Sequence, residues 1–277
     1  MKRILTIQDI SCVGKCSLTV ALPIISAIGV ETAILPTAVL STHTMFKNFT
    51  CKDLDDQILP IARHWKEQGI TFDAFYTGYL ASAQQISKVI SLIDDLKQEE
   101  NLIIVDPAMA DNGKLYPAFD GGFPAEMAKL CSRADIILPN ITEACLMTDT
   151  PYREKYDEAF AKNTVEKLAA QGAEIVVLTG AEFDGKYGVL VYDSRSNRYF
   201  TYYHKKVEAV FHGTGDIFSS AFTGLMVRGA SIEDSVKIAA DFTAECIRVT
   251  QESTSSNWYG VDFEKAIPML IDRTRKL

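Results

Sequence analysis

The sequence predicts an α/β fold, a single domain over residues 1–277 with three layers and a central, mostly parallel sheet. Short, fully apolar runs alternate with longer amphipathic ones from end to end, and a parallel crossover needs about a dozen residues, usually helical. Hydrophobic residues are 47% and charged residues 23% of the chain, a globular balance that excludes a disordered or fibrous protein. No Pro/Ser-rich linker or solenoid-period repeat divides the chain. At this length one core buries roughly 75% of the surface that the unfolded chain exposes, without a metal or disulfide staple.

The elements follow in order. Ile4–Gln8 reads as a buried strand and Cys16–Ile28 as a helix bent or interrupted near Pro23. Thr32–Val39 is a second strand, followed by a polar stretch, Ser41–Thr50. Leu54–Gln68 and Ser82–Gln98 read as helices around an extended Ala74–Tyr76, and Leu102–Val105 is an apolar strand. Ala108–Phe123, rich in Gly, Asp, Asn and Pro, is expected to be a flexible loop of the kind that serves as a lid. Asp135–Leu138 and Ile175–Leu178 are further buried strands with a helix, Thr164–Gln171, between them. Gly188–Tyr192 and Tyr199–His204, separated by Ser194-Arg195-Ser196-Asn197, read as a hairpin. Three helices close the chain at Asp216–Arg228, Ile232–Thr250 and Asp262–Lys276.

Charge and cysteine content narrow the function. With 36 acidic and 28 basic residues the net charge is −8, the wrong sign for a nucleic-acid binder that must displace counterions. A small anion is still acceptable, because backbone N–H groups hold phosphate on an acidic protein. The six cysteines, Cys12, Cys16, Cys51, Cys131, Cys145 and Cys246, show neither zinc nor disulfide-framework spacing and suggest a reducing compartment. No apolar run approaches the ~20 residues of a membrane span, and the four core-type residues near the start read as too short for a signal peptide. A cytoplasmic protein is expected.

Ligands of open α/β sheets bind outside the carboxyl ends of the strands. The most informative segment there is His212-Gly213-Thr214-Gly215-Asp216, which opens an apolar helix. Two glycines permit a sharp turn and close backbone approach, and the helix N-terminus offers N–H groups to an anion. A carboxylate beside such a nest suits phosphoryl transfer, with Asp216 taking the proton of an attacking hydroxyl. Read alone, the same residues also fit a turn with a helix-capping Asp. Gly14-Lys15-Cys16-Ser17 is not a P-loop, since Asp9 stands where the first glycine belongs and Cys16 replaces Ser or Thr.

An ordered series of strand-end motifs sets the segment in context: Ile7-Gln8, Ser41-Thr42-His43-Thr44, Thr77-Gly78-Tyr79-Leu80, Val105-Asp106-Pro107-Ala108-Met109, Pro139-Asn140-Ile141-Thr142-Glu143 and Gly213-Thr214-Gly215-Asp216. Over nearly its whole length the chain resembles the vitamin-kinase branch of the ribokinase-like superfamily, which includes pyridoxal (pyridoxamine) kinases and hydroxymethylpyrimidine kinases. The resemblance implies ATP-dependent phosphorylation of the hydroxymethyl group of a B6 vitamer, with Asp216 as base and Gly213, Thr214 and Gly215 as anion hole. It also implies that Asp106 and Glu143 hold Mg²⁺ beside ATP, partly through water, and that Asn140 and Thr179 contact the nucleotide phosphates. Thr44 and Tyr79 would line the ring pocket, with His43 beside them and the 108–123 segment as lid. Asp9 departs from the pattern of pyridoxal kinases, which usually carry Ser there, and its carboxylate would face the ring nitrogen or 3-hydroxyl and prefer a protonated, amine-bearing or aminopyrimidine ring. Gly29-Val30-Glu31 leads straight from the first helix to the second strand, leaving no room for the β-lid of sugar kinases. The alternatives are a hydroxymethylpyrimidine kinase, a dual activity, and, from another class, a non-catalytic B6-binding protein. A homodimer is expected from the resemblance, and a need for a monovalent cation such as K⁺ stays open.

Overall fold

The computed structural model describes residues 1–207, 211–254 and 258–277. In chain order the first half gives β1 (Arg3–Ser11), α1 (Leu18–Ala27), β2 (Glu31–Leu40), β3 (Cys51–Asp53), α2 (Ile58–Glu67), β4 (Ala74–Thr77), α3 (Ala83–Leu96), β5 (Leu102–Val105), β6 (Ala110–Asp111), β7 (Lys114–Leu115) and α4 (Phe123–Cys131). The second gives β8 (Ile136–Ile137), α5 (Ile141–Met147), α6 (Glu158–Ala169), β9 (Ile175–Phe183), β10 (Lys186–Asp193), β11 (Arg198–Tyr203), α7 (Thr214–Arg228), α8 (Ile232–Gln251) and α9 (Ile267–Thr274).

Nine strands form one sheet in the order β11-β10-β9-β8-β5-β4-β1-β2-β3. Pairing is parallel from β9 through to β2, with antiparallel strands at both edges. Successive residues of a strand point to opposite faces, so a strand covered on both sides must be apolar at every position. In β1, Leu5 and Ile7 enter the core under α2 to α6, while Ile4 enters the core under α1, α7 and α8. In β5, Ile103 and Val105 take the first face and Ile104 the second. The chain leaves β1 for β2 on one side and returns to β4 on the other, which opens a crevice at the carboxyl ends of β1 and β4.

Several elements differ from the sequence expectation. Ala108–Phe123 is not an open loop: Ala110 pairs with Leu115 and Asp111 with Lys114 in a hairpin. Its turn residues, Asn112 and Gly113, have φ of 50° and 76°, the left-handed conformation that an Asn-Gly hairpin turn requires. The hairpin is tied down by the Gly113 N–H, which donates to Thr142 Oγ1 at 3.0 Å. Phe119 stacks on Phe123 at 3.8 Å and meets Tyr79 at 5.4 Å. The short helices α4 and α5 and the edge strand β3 had no periodicity long enough to register. The last helix begins later than Asp262, after a separate 3₁₀ turn at Phe263–Lys265. Pro23 sits inside α1 without ending it, and only residues 28–30 separate that helix from β2.

Helix α7 is the element that fixes the site, because it lies flat on the sheet with Phe222 fully buried and Phe218 stacked against it at 6.1 Å. Truncation of Phe222 to Ala is expected to cost about 3–5 kcal/mol. A denaturant titration with unchanged m-value would read this as a lowered midpoint; an effect under ~1 kcal/mol would mean that α7 is anchored elsewhere.

Candidate active site

The rim at the carboxyl ends of the parallel strands gathers most of the polar residues that the motifs single out. Asp106 follows β5, and its N–H donates to the Thr77 carbonyl at 2.9 Å, which continues the ladder beyond the strand. Across the next strand Asn140 bridges to Thr179, whose N–H donates to the Pro139 carbonyl at 2.9 Å. Glu143 and Asn140 form a reciprocal capping box on α5. The Glu143 carboxylate accepts from the amides of Asn140 at 2.9 Å, Met109 at 3.1 Å and Ala110 at 3.4 Å. Asn140 Nδ2 donates to the Ala110 carbonyl at 2.8 Å, so α5 clasps the base of the β6–β7 hairpin. The Asn140 amide oxygen and one N–H of its Nδ2 are thereby engaged, and the second Nδ2 hydrogen is left for a ligand.

Above this rim stands the start of α7. Gly213 precedes the helix at φ 81°, and a Cβ there would lie 1.9 Å from the Lys15 carbonyl oxygen. Only glycine meets both demands. The first intrahelical bond is donated by the Ile217 N–H to the Gly213 carbonyl at 3.0 Å. The amides of Thr214, Gly215 and Asp216 therefore have no acceptor within the helix and point out of its positive end. Ser219, in the next turn, donates to Asp106 Oδ2 at 2.6 Å and pins the helix to the rim. This hydroxyl escaped sequence reading because a helical Ser carries no motif of its own.

The segment between β1 and α1 closes the other side. Lys15 forms an ion pair with Glu264 and lies over the Phe263 ring at 5.0 Å, so its charge is spent away from the rim. Ser17 adopts φ 50° and ψ −133°, a conformation that costs a non-glycine residue about 1–3 kcal/mol. Ser17 works against the upward push of burial on the Asp216 and Asp9 carboxyls, and the Ser11 hydroxyl donates to Asp9 Oδ2 at 3.4 Å. Asp9 is buried where the β1–β2 ladder slips, Gln8 pairing with Pro36 and Ile10 with Val39. Pro36 has no N–H to give the ladder, and such a bulge re-aims the side chain opposite it. His43 is buried, bonded through its N–H to the Val13 carbonyl, with its ring 5.5 Å from that of His212. Tyr79 is half-buried near Asp9, whereas Thr44 is exposed.

Four carboxylates thus share one rim. Burial, then the Asp106 charge, pushes Asp216 up to about 7. Burial pushes Asp106 up to about 6 against the Ser219 hydroxyl, and Glu143 well above the usual range despite its amides. Asp9 is raised by burial too. Among the described residues no lysine or arginine offsets any of the four. Such a site gains from a hard cation and from substrates that bring protons. Basic groups collect further along the sheet instead, around a cavity of about 410 Å³ lined by Glu182, Lys186, Tyr187, His204, Lys205 and Lys206. It adjoins Thr179, because a Cβ on Gly180 would lie 3.5 Å from the Tyr187 hydroxyl.

The profile of the phosphomethylpyrimidine kinase family matches residues 22–260. The chain belongs to that family. A Bacteroides thetaiotaomicron protein crystallised with pyridoxal, and provisionally named a phosphomethylpyrimidine kinase, is 37% identical and superposes with a TM-score of 0.92 over 97% of this chain and 95% of its own. Pyridoxal kinase from Lactobacillus plantarum is 28% identical, with a TM-score of 0.89 over 100% and 99% of the two chains. The pyridoxine/pyridoxal/pyridoxamine kinase of Bordetella avium is 26% identical over 91% of this chain and 87% of its own. The fold is ribokinase-like, as the strand-end motifs implied. Among the described residues no helix is long and apolar enough to cross a membrane.

A carboxyl group whose folded pKa lies above its unfolded value binds its proton more tightly in the folded protein. Its ionisation therefore costs stability, fully above pH 7 for Asp216, and that cost fades as the pH falls toward 4. Asp216→Asn is expected to raise Tm at pH 8, by roughly 2–4 °C for each kcal/mol regained, with a smaller gain at pH 5. Calorimetry of both proteins across that range checks it; a difference independent of pH would assign Asp216 an ordinary carboxyl.

Proposed function

We propose that the protein transfers the terminal phosphoryl group of ATP to the hydroxymethyl group of a B6 vitamer. The observation that carries this reading is a carboxylate held near neutral pKa in the first turn of a helix whose open amides face the same rim. Asp216 takes the proton of the substrate hydroxyl as the oxygen bonds to phosphorus and the bond from phosphorus to the leaving ADP oxygen breaks. The amides of Thr214, Gly215 and Asp216, with Gly213 allowing the turn, face the charge that develops on the phosphoryl oxygens.

Asp106 and Glu143 suit Mg²⁺: they are two buried hard-oxygen groups, each pushed toward its protonated form by burial, and Mg²⁺ characteristically takes one or two carboxylates and completes its shell with water and phosphate. When bound, the ion supplies charge neutralisation at the nucleotide phosphates. Thr179 and the adjoining basic cavity would take the nucleotide, with the β6–β7 hairpin above it and Asn140 setting the hairpin's seat. Asp9, His43, Thr44 and Tyr79 would surround the vitamer ring, and the acidic Asp9 suits a ring that presents N–H. A homodimer is the assembly that this reading carries.

The second reading is hydroxymethylpyrimidine as acceptor, favoured by the family match and by the same carboxylate, since an aminopyrimidine also presents N–H. Turnover measured side by side on pyridoxal, pyridoxamine, pyridoxine and the pyrimidine separates the two. Asp9→Ser is expected to weaken amine-bearing substrates more than pyridoxine; equal losses would remove Asp9 from ring recognition. Asp216→Asn should keep ATP binding and lose ~10²–10⁴-fold in kcat. Wild-type turnover in that variant would end the assignment, and a lack of ADP formation with every acceptor would leave a non-catalytic binding protein.

A further inference from the structure

The Gly14-Lys15 pair, which is no phosphate loop, has a different use in the fold. The Lys15 side chain is only 16% exposed. Its stem passes against Gly260, where a Cβ would lie 2.3 Å from Lys15 Cβ and 2.8 Å from its Cγ. Its ammonium group lies 5.0 Å over the Phe263 ring and pairs with Glu264. The backbone of the same residue faces α7: a Cβ on Gly213 would lie 1.9 Å from the Lys15 carbonyl oxygen. One residue thus touches two glycines at closest approach, with its carbonyl on the turn that opens α7 and its stem on the C-terminal segment.

Both the platform and the turn itself are held firmly. Val261 and Phe263 are buried, and the Asp262 N–H donates to Thr250 Oγ1 at 2.7 Å, which fastens this segment to α8. Within the turn, Thr19 Oγ1 donates to the carbonyls of Cys16 at 2.7 Å and Gly14 at 3.2 Å. The His43 N–H donates to the Val13 carbonyl at 2.8 Å. Close-packed contacts between such parts pass a displacement on instead of absorbing it. Glu264 is 53% exposed, so the ion pair alone is weak. The stem packed on Gly260 and Phe263 carries more of the contact, as an amphipathic lysine stem can.

We propose that Lys15 is a positioning residue for the amides at the start of α7: braced by Gly260, Phe263 and Glu264, it holds its own carbonyl against Gly213 and so sets where Thr214, Gly215 and Asp216 stand on the rim. Its charge serves the brace and not the phosphate. The turnover half of this inference rests on the kinase reading above; the packing half does not.

Lys15→Ala in the full chain removes both stem and charge. It is expected to lower kcat ~tenfold while KM for ATP stays within about twofold, because the amides meet charge that develops in the transition state. In the ligand-free protein, deuterium exchange of the Ile217 amide, which donates to the Gly213 carbonyl at 3.0 Å, should quicken ~tenfold while the β9 amides keep their rates. Lys15→Arg keeps a stem and a charge for Glu264 and should recover most of both losses. Glu264→Ala separates the brace from a direct phosphate contact: a brace predicts a lower kcat, by about two- to threefold, whereas a lysine freed to meet phosphate predicts tighter ATP binding. Glu264 is exposed, so this variant also covers a failure of Lys15→Ala to fold. Unchanged Ile217 exchange in Lys15→Ala, or tighter ATP binding in Glu264→Ala, overturns the proposal. A wild type without turnover sinks the kinase reading instead, and the exchange measurement still decides the role of Lys15.

Discussion

The seating of the α7 N-terminus on the strand ends is the constraint from which the rest of the site follows. Gly213 lies so close to the Lys15 carbonyl that no side chain fits between them, and Ser219 fastens the next turn to Asp106. Those two contacts place a row of open amides and the Asp216 carboxylate over the rim and fix their distance from β5. Helix dipole, turn geometry and carboxylate chemistry act together only because this one helix end is immobilised.

Holding four carboxylates on one rim has an energetic consequence. Each lacks a basic partner among the described residues, and burial favours their protonated forms, with the Asp106 charge adding to it at Asp216 and Glu143. A rim like this is arranged for chemistry at the expense of the fold, the usual sign of a site whose balancing charges arrive with its ligands. Ser17 in a strained conformation belongs to the same pattern.

The neighbouring positions divide the labour. The basic cavity beside Thr179 and the acidic crevice beside Asp9 are separated along the sheet edge, with Asp106 between them in strand order. On the proposed function, a polyanionic nucleotide and a proton-bearing ring would thereby meet opposite electrostatic surroundings on one rim. The β6–β7 hairpin is held at its base by α5 through Asn140 and Glu143, and on the proposed function it would lie in the nucleotide half.

Much of this was legible in the sequence. Apolar runs doubly buried in a parallel sheet cannot hide, so β1, β2, β5 and β9 and the amphipathic helices read directly, and Gly213 through Asp216 announces a turn into a helix whatever surrounds it. The short helices α4 and α5 and the 108–123 hairpin did not, because a few residues held by contacts from elsewhere carry too little periodicity. What the tertiary structure alone decided is proximity: that Ser219 reaches Asp106, and that the Lys15-Cys16 segment packs under Gly213. Residue type and spacing are local properties of the chain, whereas burial, the raised carboxyl pKa values and the pairing of distant groups depend on which elements the sheet brings side by side.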